Sequence, residues 1–318
     1  MREIQVGKND SGIRLDKFLA RTFPTMPKSL MYKYIRLKCI KINGKKSNAE
    51  NILTVGDTLT FFISDEFFGQ RKEEAFQSLK PNLNIVFEDE NILIVNKPAG
   101  LVVHSDANEE YNTLINRVKA YLFQKGDYQP ESENSFAPSL CNRIDRNTEG
   151  LVIAAKNAQS LREMNSIIKN REVQKKYLCV VHGIPKKTSD TLKDYLIKIA
   201  DENKVVLSKT KTNEAKTAIL NYNVLNTDEQ KQLSLLEVEL ITGRTHQIRA
   251  QLAAAGYPLL GDGKYSGNSA DRKQGFNSQA LCAHSLSFTL REEYPLLGYL
   301  NNRCFESPKP SFLRLFNS

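Results

Sequence analysis

The chain has 318 residues, 40% hydrophobic and 25% charged, which is enough apolar material for two domains and excludes a disordered tail. Lysine and arginine (45) outnumber aspartate and glutamate (36), and the net charge of +9 points to a polyanionic partner, because a basic surface gains sequence-independent affinity for phosphates by releasing counterions. The 5 scattered cysteines and 4 histidines contain no C-x-x-C or H-x-x-x-H pair, no apolar run reaches bilayer length, and the N-terminus lacks an apolar signal segment, so a cytoplasmic protein without metal or membrane contact is expected.

The first unit is expected over residues 1–63. Leu15, Phe18 and Leu19 fall at helical spacing, and Leu30, Tyr34, Ile35 and Leu37 mark a second short helix after Pro27. Ile40 and Ile42 alternate into Asn43-Gly44, a hairpin turn signal, and Gly56-Asp57 precedes a strand over 58–63. Its polar face is basic, with Lys28, Lys33, Arg36, Lys38, Lys41, Lys45 and Lys46 close together. Residues 64–82 carry mixed charge and little periodicity and read as a linker.

A second domain is expected over 83–318. Strands at 85–87 and 92–95 flank the turn Asp89-Glu90-Asn91, and Leu114, Val118, Tyr121 and Leu122 give a helix over 111–123. Residues 127–138 are polar, with two prolines, and read as a surface loop. After a strand from Leu151, Leu161, Met164, Ile167 and Ile168 give another helix, followed by strands at 177–181, 205–207, 217–225 and 233–241. Long strands with few helices predict an α+β fold with a mixed, mainly antiparallel sheet and flanking helices.

Two segments carry candidate chemistry. In Asn142-Arg143-Ile144-Asp145-Arg146-Asn147-Thr148-Glu149-Gly150 one acid stands between two arginines. An acid flanked by opposite charges is held ionised and can serve as a nucleophile, but the same pattern is equally a salt bridge in a turn before a strand. In Thr242-Gly243-Arg244-Thr245-His246-Gln247-Ile248-Arg249, Ile248, Leu252 and Ala255 share one helical face, which leaves Thr245, His246 and Arg249 on the wet one. An arginine there can reach a carboxylate bidentately.

These segments, in order with the lead-in Val95-Asn96-Lys97-Pro98-Ala99-Gly100-Leu101-Val102-Val103-His104 and with Lys176-Tyr177, resemble the RluA family of RNA pseudouridine synthases over residues 84–288. The resemblance is greatest to members that carry an extra N-terminal domain and modify large-subunit ribosomal RNA. The order Arg14-Leu15-Asp16-Lys17-Phe18-Leu19, Ile35-Arg36, Ile42-Asn43-Gly44 and Gly56-Asp57 is similar to the αL RNA-binding motif found also in a small-subunit ribosomal protein, with Lys38 where glycine is usual.

The resemblance implies an isomerase that turns uridine into pseudouridine in RNA without a cofactor. It makes Asp145 the nucleophile and Arg249 its partner. Tyr177 becomes an active-site aromatic that stacks on uracil or assists deprotonation, and Arg143 a residue that fills the space of the extruded base. RNA contacts are expected from Arg143, Lys28, Lys33, Arg36, Lys41, Arg244 and His246, the last mainly positioning its loop. Ile144 replaces the family's usual leucine, Asn142 its histidine and Glu149 its serine. The expected partner is large-subunit ribosomal RNA, with no obligate protein partner. The rival reading is a catalytically inactive RNA-binding or ribosome-assembly factor on the same fold. A hydrolase using Asp145 and His246 leaves the basic first unit unexplained and lacks a second motif-linked carboxylate.

Overall fold

The computed structural model describes residues 1–68, 75–199, 204–208, 210–267 and 269–316. The first unit contains β1 (Arg2–Gln5), α1 (Leu15–Thr22), α2 (Lys28–Arg36), β2 (Ile40–Ile42), β3 (Lys45–Lys46) and β4 (Thr58–Phe61). Its strands form an antiparallel sheet in the order β1-β4-β2-β3. Leu15, Phe18 and Leu19 of α1 and Met31 and Ile35 of α2 pack with Ile40, Leu59 and Phe61 of the sheet, which is why the apolar spacing of these short segments holds them helical. Asn43 and Gly44 take φ of 50° and 74°, the paired positive values that a two-residue hairpin turn needs. Lys38 ends α2 in the left-handed region at φ 63°. β1 has no counterpart among the expected elements, because four residues are too few to show an alternation.

The expected linker is anchored at both ends. Phe67 and Phe68 pack on the core of the first unit, and Phe76 is buried in that of the second. Residues 69–74 of it lie outside the described residues.

The second unit contains β5 (Ile85–Glu88), β6 (Ile92–Lys97), α3 (Leu114–Lys125), β7 (Ser139–Leu140), β8 (Glu149–Ala155), α4 (Ala158–Lys169), β9 (Val173–His182), β10 (Ser189–Ile199), β11 (Lys204–Ser208), β12 (Lys216–Asp228), β13 (Leu233–Leu240), α5 (Gln247–Ala254), α6 (Ser269–Lys273), β14 (Leu281–Phe288) and β15 (Cys304–Glu306). Its 11-stranded sheet runs β11-β10-β12-β13-β9-β14-β8-β6-β5, with β15 on β14 and β7 on β8. Neighbours are antiparallel except β8 and β14, which are parallel. The fold is therefore α+β with a mainly antiparallel sheet, as the strand pattern predicts.

The unbroken apolar runs of the central strands follow from burial on both faces. Ile92, Ile94, Leu151 and Ile153 point to one side, under Met164 and Ile167 of α4. Leu93, Val95, Val152 and Ala154 point to the other, under α3 and under Ile248 and Leu252 of α5. Helix α3 starts later than the expected 111, where the Thr113 hydroxyl accepts the Asn116 amide at 3.3 Å, and ends at Gly126 with φ 87°. The expected surface loop 127–138 is only partly one: Tyr128 and Phe136 are buried, and Asn134 and Ser135 bond to the first unit. β10 and β14 were not expected. Only Leu196 of β10 is buried, and His284 and Ser285 interrupt β14.

No helix among the described residues is long and apolar enough to cross a membrane.

Candidate active site

Asp145 lies in the loop between β7 and β8, and backbone contacts fix that loop. Ile144 points into the core, so the next side chain turns outward, and the Asp145 carboxylate is 26% exposed. Behind it Lys97, at the end of β6 and fully buried, donates from Nζ to the carbonyls of Pro98, Leu101 and Arg146, each at 2.8 Å. Three donated bonds use all three protons of an ammonium. Burial lowers the Lys97 pKa to about 7, and the charges of Asp145 and Glu149 oppose that shift. The Gly100 amide donates to the Arg146 carbonyl at 2.9 Å, and the Thr148 amide to the Asp145 carbonyl at 3.1 Å. Asn142 pins the loop to β8, accepting the Ile153 amide at 2.8 Å and donating to the Leu151 carbonyl at 3.3 Å.

The flanking arginines are not the partners of Asp145. Arg146 turns away and donates from Nη2 to both carboxylate oxygens of Asp106, at 3.0 and 2.8 Å. Arg143 is exposed and makes no hydrogen bond or ion pair among the described residues. The partner is Arg249, whose Nη1 donates to Asp145 Oδ2 at 3.0 Å. Its other edge is held by Asp262, with Nε to Oδ2 at 2.7 Å and Nη2 to Oδ1 at 2.9 Å, and the Tyr265 ring lies 5.3 Å from the guanidinium carbon. These carboxylates raise the Arg249 pKa against the lowering effect of burial, so the side chain stays cationic.

Arg249 is not on a wet face. Every residue from Gln247 to Leu252 is buried, because Ala250 and Gln251 meet β10 to β12 while Asp262 and Tyr265 cover Arg249. The helix starts at Gln247, after His246 at φ 50°. His246 accordingly points inward. Its Nδ1 lies 3.1 Å from the Tyr265 hydroxyl, and its Nε2 lies 3.8 Å from Asp145 Oδ2. Burial lowers its pKa, which favours the neutral imidazole, and Asp145 opposes that.

Tyr177 sits mid-strand in β9, between Val238 of β13 and Ala283 of β14. It is 7% exposed, and burial and the nearby Asp145 charge raise its phenol pKa, so it stays protonated. Arg244 is exposed and its Nε donates to the Thr217 carbonyl at 3.1 Å. Lys28, Lys33 and Arg36 are exposed on α2 in the first unit, and Lys41 lies half-buried with its ammonium 5.2 Å from the Phe62 ring centroid. The structure thus brings together Asp145, Tyr177, Arg249 and His246. The α2 cations belong to the first unit, whose sheet is separate from the one that carries Tyr177.

The family described as RNA pseudouridylate synthase matches residues 91–254, a span that holds Asp145, Tyr177 and Arg249. The chain belongs to this family. The synthase is 33% identical, over 95% of its length and 93% of the relative's, to an uncharacterised RNA pseudouridine synthase of Mycoplasma pneumoniae. It is 30% identical to a ribosomal large subunit pseudouridine synthase C of Buchnera aphidicola, with 89% and 87% of the two chains covered. A solved human structure, RNA pseudouridylate synthase domain containing 4, superposes with a TM-score of 0.55 at 22% identity, over 73% of this chain and 90% of that one, and so shares the fold.

As an RNA pseudouridine synthase the enzyme is an isomerase. Sequence reasoning about its site missed Lys97, Asp262 and Tyr265. A signal was available for the first two. Lys97 follows the apolar run Ile92-Leu93-Ile94-Val95, where a lysine drawn inward needs carbonyl partners, and Asp262 follows the apolar Leu259-Leu260-Gly261, where an acid drawn inward needs a cation. Tyr265 carried none.

Proposed function

We propose that this synthase converts uridine to pseudouridine in large-subunit ribosomal RNA in the cytoplasm, with Asp145 as nucleophile. The observation that carries the reading is that Arg249 holds Asp145 through Oδ2 alone while the Asp145 side chain stays 26% exposed. Attack at C1′ of the ribose, attack at C6 of the ring and formation of a glycal all begin with such a carboxylate.

The target base must first leave its stack, at a cost of a few kcal/mol. Arg143, exposed two residues before Asp145, fills the gap with a planar guanidinium. Tyr177 provides an aromatic wall for the uracil. A protonated phenol beside an anion cannot take the C5 proton, so Tyr177 acts as a platform and hydrogen-bond donor and not as a base. Residues 1–63 grip the RNA through Lys28, Lys33, Arg36 and Lys41, residues 64–82 join the parts, and residues 83–318 perform the chemistry. The ribosomal target rests on the basic first unit together with the name of the Buchnera relative.

The test is Asp145→Asn, assayed on transcribed large-subunit ribosomal RNA. Pseudouridine formation should vanish while RNA affinity stays near wild type. Pseudouridine made by the variant would remove Asp145 from the mechanism.

A further inference from the structure

The first unit is fastened to the second by polar side chains around one buried acid. Asp10 is 1% exposed. Its Oδ1 accepts the Ser135 hydroxyl at 2.6 Å, and its Oδ2 accepts the Asn134 side-chain amide at 2.7 Å and the Gly7 backbone amide at 3.1 Å. The Asn134 side chain also donates to the Gln5 carbonyl at 2.9 Å, and its backbone carbonyl accepts the Thr22 hydroxyl at 3.2 Å. Beside it Asn9 donates to Glu133 at 2.6 Å and accepts the amide of Ala158, the first residue of α4, at 3.0 Å. Gln5, Asn9–Asp10 and Thr22 of the first unit therefore all engage the 133–135 loop, and Asn9 engages the start of α4 as well.

Contacts on several non-collinear segments resist rotation in every direction, which one contact or a tether does not. A tethered module raises the local concentration of any RNA it grips, whatever the spacing of the two sites. A docked module admits only RNAs that present both sites at one separation. Whole domains in one chain usually move unless the interface is large and hydrophobic, so this polar interface needs a reason to be built around a buried carboxylate.

We propose that the Asp10 clasp fixes the basic face of α2 relative to Asp145, so that the enzyme reads two segments of one folded RNA at a set spacing. Asp10 and Asn134 are then specificity-determining residues. The inference rests on the proposed RNA target, and its test has an arm that does not.

Asp10→Ala and, from the other side of the interface, Asn134→Ala are compared with the full-length wild type on two RNAs. One is transcribed large-subunit ribosomal RNA, the other a short oligonucleotide around the modified uridine. Both variants should lose about tenfold in kcat/KM on the transcript and keep wild-type kcat/KM on the oligonucleotide. Small-angle scattering should show a single compact particle for wild type and an expanded one for the variants. Retained transcript activity, equal losses on both RNAs, or wild-type scattering that requires two independently moving bodies would each overturn the proposal. A wild type inactive on both RNAs would fail the proposed function instead, while scattering would still decide the clasp.

Discussion

Gly150→Ala should damage both stability and activity, and the structure gives the size of the effect. A Cβ at Gly150 would lie 2.3 Å from the Ala283 carbonyl oxygen, 2.6 Å from its nitrogen and 2.8 Å from its carbonyl carbon. All three are backbone atoms of β14, so no side chain can rotate away. Gly150 also has φ of 116°, a region that L side chains rarely adopt. Backbone strain of roughly 1–3 kcal/mol and overpacking of roughly 1–3 kcal/mol together predict a loss of roughly 2–6 kcal/mol. The alternative to that loss is separation of β8 from β14 by about 1 Å, the shortfall from ordinary van der Waals distance.

The second effect is on the site. The parallel junction pairs Cys282 with Glu149 and Ala283 with Gly150, while Ala283 also pairs with Tyr177. One residue of β14 thus sets the Asp145 loop against the Tyr177 strand. Displacement there by about 1 Å should slow pseudouridine formation on the order of a hundredfold. Urea denaturation gives the first quantity and single-turnover conversion of bound RNA the second. Gly126→Ala is the control, because that glycine has φ 87° but nothing within 4 Å of its would-be Cβ. It should cost about 1 kcal/mol and leave the rate unchanged. If Gly150→Ala were no worse than Gly126→Ala, the close approach of β8 and β14 would not be what places Asp145.

Arg249→Lys keeps the charge but loses the planar fork that serves Asp145 and Asp262 at once. Loss of about 3–4 kcal/mol in charge-assisted hydrogen bonds should lower the single-turnover rate roughly 10²- to 10³-fold with RNA affinity unchanged, and a drop of less than tenfold would contradict the shared geometry. Lys38→Gly should raise unfolding stability by about 1 kcal/mol in urea titration, since a lysine at φ 63° pays the left-handed penalty that glycine avoids. His246 has a pKa lowered by burial from its ordinary 6.5, so the unfolded chain takes up the proton first as pH falls. Stability from this group is therefore complete above about pH 6.5 and is lost below it. Wild type should lose more stability than His246→Gln between pH 7.5 and 5.5, and parallel losses would show that the imidazole is not held neutral.

The local elements of the fold were legible because short-range patterns set them. The apolar spacing of Leu15, Phe18 and Leu19, the Asn43-Gly44 turn and the runs at Ile92 and Leu151 each state a structure within a few residues. β14 was not legible, since it packs on both faces yet carries His284 and Ser285. Of the site, the identity of Asp145 and Arg249 as a motif pair was visible, but the burial of Arg249 was not. Helical periodicity marks Ile248 and Leu252 as core, and it is silent about the loop whose Asp262 and Tyr265 cover Arg249. The proximity of Asp145 to Arg143 and Arg146 in sequence was misleading for a related reason. In an extended loop, adjacent side chains point apart, and the cation that reaches a carboxylate is the one the fold brings opposite it.

That geometry also explains why two departures from the family pattern can be accommodated. Asn142 spends its side chain on the Ile153 amide and the Leu151 carbonyl, so at this position the loop uses a neutral donor and acceptor, which asparagine supplies without titrating. Glu149 opens β8 half-buried, and burial raises its pKa while the Lys97 charge opposes that shift. Its charge is thus felt by the ammonium that fixes the Arg146 carbonyl, on the inner side of the loop. Glu149 thus belongs to the electrostatics around Lys97, behind the Asp145 loop. Both departures fall on the scaffold of the loop, while its exposed Arg143 and partly exposed Asp145 keep the types that the family resemblance implies.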